Sequence, residues 1–459
     1  MSFALTVCEL RRAAPGSDAP VPNRLVAFVS NNQVDAPEDG PSNPSWQNWG
    51  HNQNFRPDRI LHPATEDEVQ RAVVEAITKG ETIRAAGSGH SYTPVVETPH
   101  TLLKLDSLAG LVSVDREDRN AVVRAGTKLS AMGEPLWNAG LALANQGDTH
   151  GQTISGATAT GTKGSGKELG SLSSMIRGMR LVDGTGELRT IDGTDEDLLS
   201  AAQVSLGLLG VVTELSLDVV PAYRLQESNE IMDVEELLSQ WDRAANTYRH
   251  FSFFWCPGDA SSDMYSLPHV PRDHAWVKFL SEDWDIDEVE TGRQPLEGPL
   301  GRRNGRSYLI YPDVSDSQAG EFVELEYMVH EQDAKDAFLA VRHLMLTQYP
   351  NESPVQVRWQ RADSAFLSPQ YERPSVSISV SGVRARDFHK FLRAVDAELR
   401  PYGARPHWGK MHYLTPTDLR NLYPELDRFL ALRKQFDPKG VFLNDHLREI
   451  GRASCRERV

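Results

Sequence analysis

A run of twenty residues with almost no large side chains constrains this chain more than any other feature. From Gly147 to Gly166 the sequence is GDTHGQTISGATATGTKGSG, with no proline and only two formal charges, Asp148 and Lys163. Small side chains cannot build a hydrophobic core, and a long flexible loop would be expected to carry prolines and charges. Small and hydroxyl-bearing residues instead allow a backbone to approach a flat ligand closely. The run therefore predicts a ligand-binding segment.

A second segment of small residues lies earlier in the chain. The sequence predicts a strand over 82–85, followed by Ala86-Gly-Ser-Gly-His-Ser91. Small residues after a strand let backbone N–H groups reach a phosphate without obstruction by Cβ atoms. The spacing Gly87-x-Gly89 lacks the third glycine and the following helix of a nicotinamide-dinucleotide fingerprint. A phosphate-bearing ligand is therefore favoured, and a nicotinamide dehydrogenase is disfavoured.

Composition argues against several classes of function. The chain has 459 residues and a formal net charge of -16, and so acidic a surface repels nucleic acid and anionic membranes. No apolar stretch approaches the ~20 residues that cross a bilayer. The three cysteines, Cys8, Cys256 and Cys455, are odd in number and far apart, which favours a reducing cytoplasm over a disulfide framework. No pair of them has metal-ligand spacing, so we expect no metal site.

Changes in composition divide the chain into four parts. Residues 1–51 are rich in Pro, Ser, Asn, Asp and Gly and predict an extended leader, with one short apolar run at 25–29. Residues 52–223 alternate between short strands and helices and predict a first domain. Residues 224–446 carry more Trp and Tyr and predict a second domain. Residues 447–459 are expected to form a disordered or cloning-derived tail.

Local signals place several elements in the first domain. The sequence Thr65-Glu-Asp-Glu68 is a capping box ahead of apolar residues at helical spacing, and Gly80 should end that helix. Apolar runs at 175–182 and 188–191 flank a turn sequence rich in glycine, which predicts a hairpin. These elements favour a mixed class of fold with both helices and strands.

Several motifs together resemble one family of flavoproteins. GSGHS at Gly87–Ser91 and GATATGTKG at Gly156–Gly164 resemble the vanillyl-alcohol-oxidase-type FAD superfamily, and HWGK at His407–Lys410 narrows the resemblance to the aldonolactone oxidase and alditol oxidase branch. FSFFWCP at Phe251–Pro257 and FDPKGVFLN at Phe436–Asn444 support it, and the resemblance runs in order over 52–446. It implies an α+β fold: a two-lobed PCMH-type FAD-binding domain, then a substrate domain with a large antiparallel sheet covered by helices.

The resemblance also implies how FAD is held. His90 would be bonded covalently to the flavin 8α-methyl. The pyrophosphate would lie along Ala86, Gly87, Ser88, Gly89 and Ser91. The flavin and ribityl chain would lie along Ser155, Gly156, Ala159, Thr160, Gly161, Thr162 and Gly164. The adenine side would be formed by Gly210, Val211 and Val212, and the remaining implied contacts are Asp148, His407, Lys410 and Asn444.

The same resemblance implies two reaction residues. Lys410 corresponds to a lysine near the flavin N1 and C2 carbonyl, where a fixed cation stabilises the negative charge that arrives with a hydride. Arg358 corresponds to an arginine that faces the substrate and can orient a sugar hydroxyl or a lactone carbonyl.

The substrate half departs from the pattern of the family. A glutamate is usual two residues before the arginine, but this chain has Gln356, which binds a hydroxyl without taking its proton. Ser379 and Ser381 replace the His-x-Thr of alditol oxidases, and Lys163 replaces a usual histidine. His150 stands where an aspartate is common and is either a replacement base or an ordinary loop histidine. We therefore expect an altered substrate.

These observations leave alternatives for the function. The first is an FAD oxidase that takes a hydride from the CH–OH group of a carbohydrate-like, lactone or polyol substrate and reduces O₂ to hydrogen peroxide. The second is a dehydrogenase with another electron acceptor, or an oxidase of a non-sugar secondary alcohol. A flavin-binding protein without turnover is a third class, against which Lys410, Arg358 and His90 argue.

Overall fold

The computed structural model describes residues 44–282, 301–311 and 320–451. Its first part contains two sheets of more than two strands, one parallel and one antiparallel. The parallel sheet has the strand order β3-β5-β4, where β3 is Arg59–Leu61, β4 is Ile83–Ala86 and β5 is Thr101–Lys104. The antiparallel sheet has the order β10-β9-β11-β7-β6, where β6 is Leu111–Asp115, β7 is Asn120–Arg124, β9 is Ile176–Val182, β10 is Leu188–Ile191 and β11 is Val211–Asp218. The predicted hairpin is the β9–β10 pair.

The first helix shows how local sequence sets the ends of an element. Helix α1 spans Glu66–Lys79, and the Thr65 side chain accepts a hydrogen bond from the Glu68 backbone N–H at 3.3 Å. The Glu68 carboxylate accepts from the Ala64 N–H, one residue before the position that a complete capping box would use. Gly80 ends the helix in the left-handed region, at φ 69°. The predicted helix is therefore confirmed.

An antiparallel sheet of eight strands dominates the second part. Its order is β16-β13-β15-β14-β18-β19-β17-β20. These strands are β13 Arg224–Asp233, β14 His250–Cys256, β15 His274–Glu282, β16 Arg302–Arg306, β17 Phe322–His330, β18 Val355–Gln360, β19 Ser375–Val383 and β20 Arg405–Pro406. One face packs on helices α5 Val234–Thr247, α7 Ala334–Gln348 and α8 Phe388–Leu399, which bury Trp241, Phe338 and Phe391. The opposite face carries polar and charged side chains.

The C-terminal segment returns to the first part of the chain. Helices α9 Pro416–Leu422, α10 Leu426–Phe436 and α11 Asp445–Ile450 share one hydrophobic cluster with strands β9 and β11. The buried Arg84 guanidinium of β4 donates to the carbonyls of Phe442 at 2.7 Å and Leu206 at 2.6 Å. Because these bonds join segments far apart in sequence, they fix the C-terminal segment beside the glycine-rich loop that follows β4.

Shorter elements complete the described chain. They are β1 Trp46–Gln47, β2 Asn54–Phe55, α2 Gly133–Asn138, β8 Leu141–Ala142, α3 Ile154–Ala159, α4 Glu196–Gln203, β12 Val220–Pro221 and α6 Ser307–Ile310. No described helix is both long and apolar enough to span a bilayer. In the same ranges, no cluster of three or more His, Cys, Asp or Glu side chains could hold a metal ion.

The folded part extends further at both ends than the sequence predicted. Strand β1 pairs with β2, and Trp46 and Asn48 are buried, so regular structure begins before Asn52. Residues 447–450, which were expected in the tail, belong to α11 and bury two apolar side chains. Burial of apolar surface explains both differences. The apolar run at 25–29 and residues 452–459 lie outside the described residues.

Candidate active site

A long cleft runs between the two glycine-rich segments. It encloses about 1130 Å³, part of which is open to solvent. Among its walls are most of the residues for which the sequence predicted a cofactor contact: Ala86, Gly87, Ser88, Gly89, His90, Ser91, Ser155, Gly156, Ala159, Thr160, Gly210, Val211, Val212, His407 and Lys410. We call it the long cleft.

The two glycine-rich segments touch each other at the wall of the long cleft. A Cβ atom on Gly87 would lie 2.1 Å from the Thr153 Oγ1 atom, and one on Gly156 would lie 3.0 Å from the same atom. Thr153 precedes α3, so the loop after β4 crosses directly over the start of this short helix. Only residues without a side chain allow this approach.

Residues just before Asn52 hold the loop that carries His90. The Trp49 backbone N–H donates to the Gly89 carbonyl at 2.8 Å, and the Asn48 side chain donates to the Ser91 carbonyl at 2.9 Å. The indole ring of Trp49 stacks on the His90 imidazole, with the ring centroids 5.3 Å apart. The segment that the sequence assigned to an extended leader thus positions this loop.

The lining of the long cleft fits FAD. The Thr153 hydroxyl and the side-chain amide oxygen Oε1 of Gln152 are buried there without a hydrogen-bond partner in the described structure. Buried polar atoms normally have partners, so these two are suited to a polar ligand. Apolar side chains, including Val96, Leu105 and Phe442, form other parts of the wall and suit flat rings.

Three residues with a predicted cofactor contact have structural roles instead. Gly161 adopts φ 77° in the turn after α3, and a Cβ on Gly164 would lie 2.0 Å from the Gln146 carbonyl oxygen. The Asn444 side chain caps α11 and donates to the Pro94 carbonyl at 2.8 Å. None of the three lines the long cleft, and their contacts with the cofactor stay predictions. The turn, the close packing and the cap account for the residue types.

A second cavity lies on the polar face of the eight-stranded sheet and encloses about 1430 Å³, part of it open to solvent. We call it the sheet cavity. It shares four lining residues with the long cleft: His90, Gln152, His407 and Lys410. These four form the junction between the two spaces. Asp148 and Thr162, for which the sequence predicted cofactor contacts, line the sheet cavity instead of the long cleft.

Arg358 of β18 stands at the centre of an array of charges in the sheet cavity. Its guanidinium donates to Asp148 at 2.7 Å and to Glu326 at 2.6 Å. The Gln356 amide also donates to Asp148, at 2.8 Å. The two strand residues therefore hold one carboxylate from the loop of small residues, and the acceptor oxygens offer a polar wall for hydroxyl groups.

Lys163, in the position of a usual histidine, belongs to the same array. Its ammonium group contacts the Glu326 carboxylate and donates to the Ser377 hydroxyl at 2.9 Å. Burial and the nearby charge of Arg358 both lower the pKa of Lys163, Glu326 opposes them, and the pKa comes to about 8. Burial raises the pKa of Glu326, but Lys163 and Arg358 together hold it well below its usual range. Both groups are therefore charged at neutral pH.

Lys410 reaches the junction because β20 pairs with β17. Tyr327 pairs with Pro406 in that ladder, and the His407 backbone N–H donates to the Glu326 carbonyl at 2.9 Å. The Lys410 ammonium group contacts the carboxylate of Glu324. Burial lowers the pKa of His407 to about 3, so this imidazole is neutral. The position of Lys410 at the junction therefore depends on the short edge strand β20.

Two predicted substrate contacts lie behind the cavity wall. The Ser379 hydroxyl donates to the Glu324 carboxylate at 2.6 Å, and the Tyr265 hydroxyl donates to Ser381 at 2.6 Å. Neither serine lines the sheet cavity, because Glu324 and Tyr265 cover them. His150 also lines neither space, and its carbonyl accepts from the Ser130 N–H at 2.9 Å. The geometry supports the reading of His150 as a loop residue.

The structure reveals two acidic residues that the sequence analysis missed. Glu324 and Glu326 alternate along β17 within the sequence FVELEYMVH. Alternate residues of a strand share one face, so both carboxylates point away from the hydrophobic cluster under the sheet. Two glutamates at alternate positions of an otherwise apolar strand could have indicated acidic residues at this site.

Comparisons with known proteins agree with this site. A family model described as an FAD binding domain matches residues 57–192, and one described as D-arabinono-1,4-lactone oxidase matches residues 215–281 and 316–450. The L-gulono-1,4-lactone dehydrogenase of Mycobacterium tuberculosis is 33% identical over 425 residues, which cover 89% of this chain and 99% of that protein. The L-gulonolactone oxidase of Mus musculus is 25% identical, with 88% of this chain and 98% of that protein covered.

One further relative and one solved structure are also similar to this chain. The alditol oxidase of a Streptomyces species is 26% identical over 88% of this chain and 98% of that protein. The crystal structure of cholesterol oxidase from B. sterolicum has a TM-score of 0.74 at 16% identity and covers 91% of this chain and 100% of that chain, which shows the fold alone.

The fold, the long cleft and the similarities to known proteins together define the class of this protein. It is an FAD-dependent oxidoreductase that acts on CH–OH donors, with a two-lobed FAD-binding part and a large antiparallel sheet. Within that class, the chain belongs to the aldonolactone oxidase branch of the PCMH-type FAD family.

Proposed function

We propose that this enzyme oxidises a CH–OH group of a sugar-derived lactone or a polyol and passes the electrons to O₂, which becomes hydrogen peroxide. One observation carries the proposal: the sheet cavity, with its array of charged acceptors and donors, shares the wall residues Lys410 and His407 with the long cleft. A polyhydroxylated molecule in the sheet cavity would therefore present a carbon atom to the cofactor. The lactone oxidases, lactone dehydrogenase and alditol oxidase among the relatives support this substrate class.

FAD would supply the two-electron acceptor, at flavin N5. The residues of the chain would bind the cofactor and stabilise the charge that develops on it. The glycine-rich walls of the long cleft would hold FAD, with Ala86 to Ser91 at the pyrophosphate. The Lys410 ammonium would stabilise the negative charge that develops on the N1 and C2 edge of the flavin. We also propose that His90 forms the covalent bond to the flavin, since its ring borders both spaces and is fixed by Trp49.

Substrate recognition would depend on the array around Arg358. The array holds Arg358, Lys163, Asp148 and Glu326, with Gln356 beside Asp148. Burial lowers the pKa of Arg358, but Asp148 and Glu326 raise it by more, so the pKa lies above its usual value and the charge is permanent. A fixed guanidinium and its carboxylates together offer donors and acceptors for vicinal hydroxyls, or a donor for a lactone carbonyl.

A dehydrogenase is the second candidate, because the relative that is 33% identical is named a dehydrogenase. The two candidates share the reduction of the flavin and differ in what reoxidises it. We expect sugar lactones or polyols to bleach the flavin of the purified holoenzyme under anaerobic conditions, and O₂ to restore its colour with release of peroxide. Slow return of colour in O₂, with fast return in an artificial electron acceptor, would favour the dehydrogenase. A flavin that no such donor bleaches would contradict the proposed substrate class.

The proposal also includes the limits of the two domains and a location in the cytoplasm. The matches at 57–192 and at 215–281 with 316–450 are compatible with an FAD-binding domain at 52–223 and a substrate domain at 224–446. The three widely spaced cysteines favour the reducing cytoplasm.

A further inference from the structure

We infer that Glu324 is the group that takes the proton from the reacting hydroxyl of the substrate. The inference deepens the proposed function and rests on it. Oxidation of an alcohol requires that the hydroxyl proton leaves as the hydride leaves the carbon, and a positioned base accelerates such a step. Gln356 cannot be this base, because an amide does not accept a proton at neutral pH. Four carboxylates line the sheet cavity: Asp148, Glu227, Glu324 and Glu326. Glu227 is fully buried and its Oε2 atom accepts from the Arg303 guanidinium at 2.7 and 2.5 Å, so the candidates beside the reaction residues are Asp148, Glu324 and Glu326.

Glu326 already forms ion pairs with two cations. Its side chain is 2% exposed, and it lies between the ammonium of Lys163 and the guanidinium of Arg358. A proton on this carboxylate would leave the buried Lys163 ammonium without its counter-ion and would remove one of the two carboxylates that pair with Arg358, which is costly. Glu326 therefore serves as a fixed anion that positions Arg358 and Lys163.

Asp148 is held on the other side of Arg358. One of its oxygens, Oδ2, accepts from both the Arg358 guanidinium and the Gln356 amide. The described structure gives Asp148 no contact with Lys410. Two donors on a single oxygen suit a carboxylate that orients hydroxyl groups, and they disfavour protonation of that oxygen.

Glu324 differs from both in its position. Its side chain is 15% exposed, and it contacts the Lys410 ammonium group at the junction of the two spaces. Ser379 donates to its Oε1 atom at 2.6 Å, while Lys410 contacts Oε2. A carboxylate offers about four acceptor positions, so about two remain for a substrate hydroxyl. The carboxylate is therefore pre-oriented beside the cofactor and retains capacity to accept a proton.

The surroundings of Glu324 contain no better acceptor. Burial raises the pKa of Tyr92 and of Tyr265, and the charge of Glu324 raises both further, so both phenols stay protonated. The groups that interact with Glu324 from neighbouring elements are Lys410, Arg358, Tyr92, Tyr265 and Ser379, and Glu326 is the other acid on its own strand.

The proposed step balances in atoms and electrons. The O–H bond of the substrate breaks and its proton goes to a carboxylate oxygen of Glu324. The C–H bond breaks with its electron pair, and the hydride goes to oxidised FAD. The oxygen electron pair forms the new C=O bond, so the alcohol becomes a carbonyl and the cofactor is reduced by two electrons. Glu324 returns the proton to water after the product leaves.

The test measures anaerobic flavin reduction in the holoenzyme at several pH values. Glu324→Gln should slow the limiting rate of reduction by roughly 10²–10⁴-fold, the usual contribution of a general base. It should also remove the fall in rate at acid pH that protonation of a base causes. FAD content and the substrate dissociation constant, read from the flavin spectrum, should change only a few-fold. Glu324→Asp, which keeps a carboxylate, should still show the fall in the rate of flavin reduction at acid pH.

Two matched variants make the test specific. Asp148→Asn should raise the dissociation constant of the substrate and keep the acid fall in rate. Glu321→Gln, an exposed residue just before β17, should behave as the wild type. Loss of the acid fall in Asp148→Asn, with its retention in Glu324→Gln, would overturn the inference. If the wild type is reduced and Glu324→Gln is reduced equally fast, only this inference fails. If no lactone or polyol reduces the wild type, the proposed function fails with it.

Discussion

At the scale of single residues, the site is built from side chains that restrain one another. Arg358 has carboxylates on two sides, and Glu326 has cations on two sides. Removal of one member of such a buried array leaves an uncompensated charge, typically at a cost of about 3–5 kcal/mol. The substitution of Lys163 for a usual histidine is explained by this arrangement, because the lysine supplies the second cation that Glu326 requires.

His90 is the residue whose role has the simplest test. We expect His90→Ala to bind FAD that separates from the protein on acid precipitation, because the proposed covalent bond would be absent. The measurement compares flavin absorbance in the pellet and in the supernatant. His150→Ala is the matched control, since this loop histidine lines neither space, and its pellet should stay yellow. A yellow pellet from His90→Ala would place the bond elsewhere.

At the scale of elements, pairing of distant strands assembles the site. β17 lies between β19 and β20, so it places Glu324 beside Ser379 on one side and near Lys410 on the other. The order of these strands is not their order in the sequence. A one-residue shift in the register of β17 would turn both glutamates into the hydrophobic cluster on the other face, so the cluster itself fixes the register.

The contact between the two glycine-rich segments gives a prediction at this scale. Gly87→Ala should lose most of its FAD, because the new Cβ would lie 2.1 Å from Thr153 Oγ1 and the β-branched threonine has little freedom to move. The ratio of flavin to protein absorbance measures the loss. Gly193→Ala is the control, since a Cβ there meets nothing within 4 Å. Full loading of Gly87→Ala would show that the loop shifts without loss of the cofactor site.

At the scale of the whole molecule, buried histidines tie stability to pH. Burial lowers the pKa of His250 to about 3, of His407 to about 3 and of His412 to about 4. In the unfolded chain these groups take up protons near pH 6.5, so the unfolded state binds more protons below that value. Their contribution to stability is complete above about pH 6.5 and is lost as the pH falls toward the folded values.

We therefore expect the free energy of unfolding to fall with decreasing pH from about 6.5 to about 4. Each histidine contributes up to about 1.4 kcal/mol per pH unit in that window. His250→Asn should reduce the slope by about one such contribution relative to the wild type, whereas His343→Asn, at an exposed position, should leave it unchanged. Urea unfolding at several pH values measures the slopes. Equal slopes for His250→Asn and the wild type would contradict this account.

Much of the local structure followed from the sequence alone. The ends of α1, the β9–β10 hairpin and the two glycine-rich segments depend on neighbouring residues, on caps, turns and missing side chains, so short-range patterns determine them. The family resemblance predicted the class of fold and many of the residues that line the long cleft. The protein contacts of Asn444, Ser379 and Ser381 could not be predicted, because a motif does not show what a side chain contacts.

The tertiary structure alone decided which carboxylate stands beside Lys410. The sequence showed a glutamine at position 356 and suggested that the acid was absent, yet Glu324 comes to the junction from a different strand. Its place depends on the pairing of β17 with β19 and β20, and strand pairing is set by burial across the whole sheet. Such long-range packing has no signature in neighbouring residues, which is why the sequence determined the cofactor walls but the fold determined the proton acceptor.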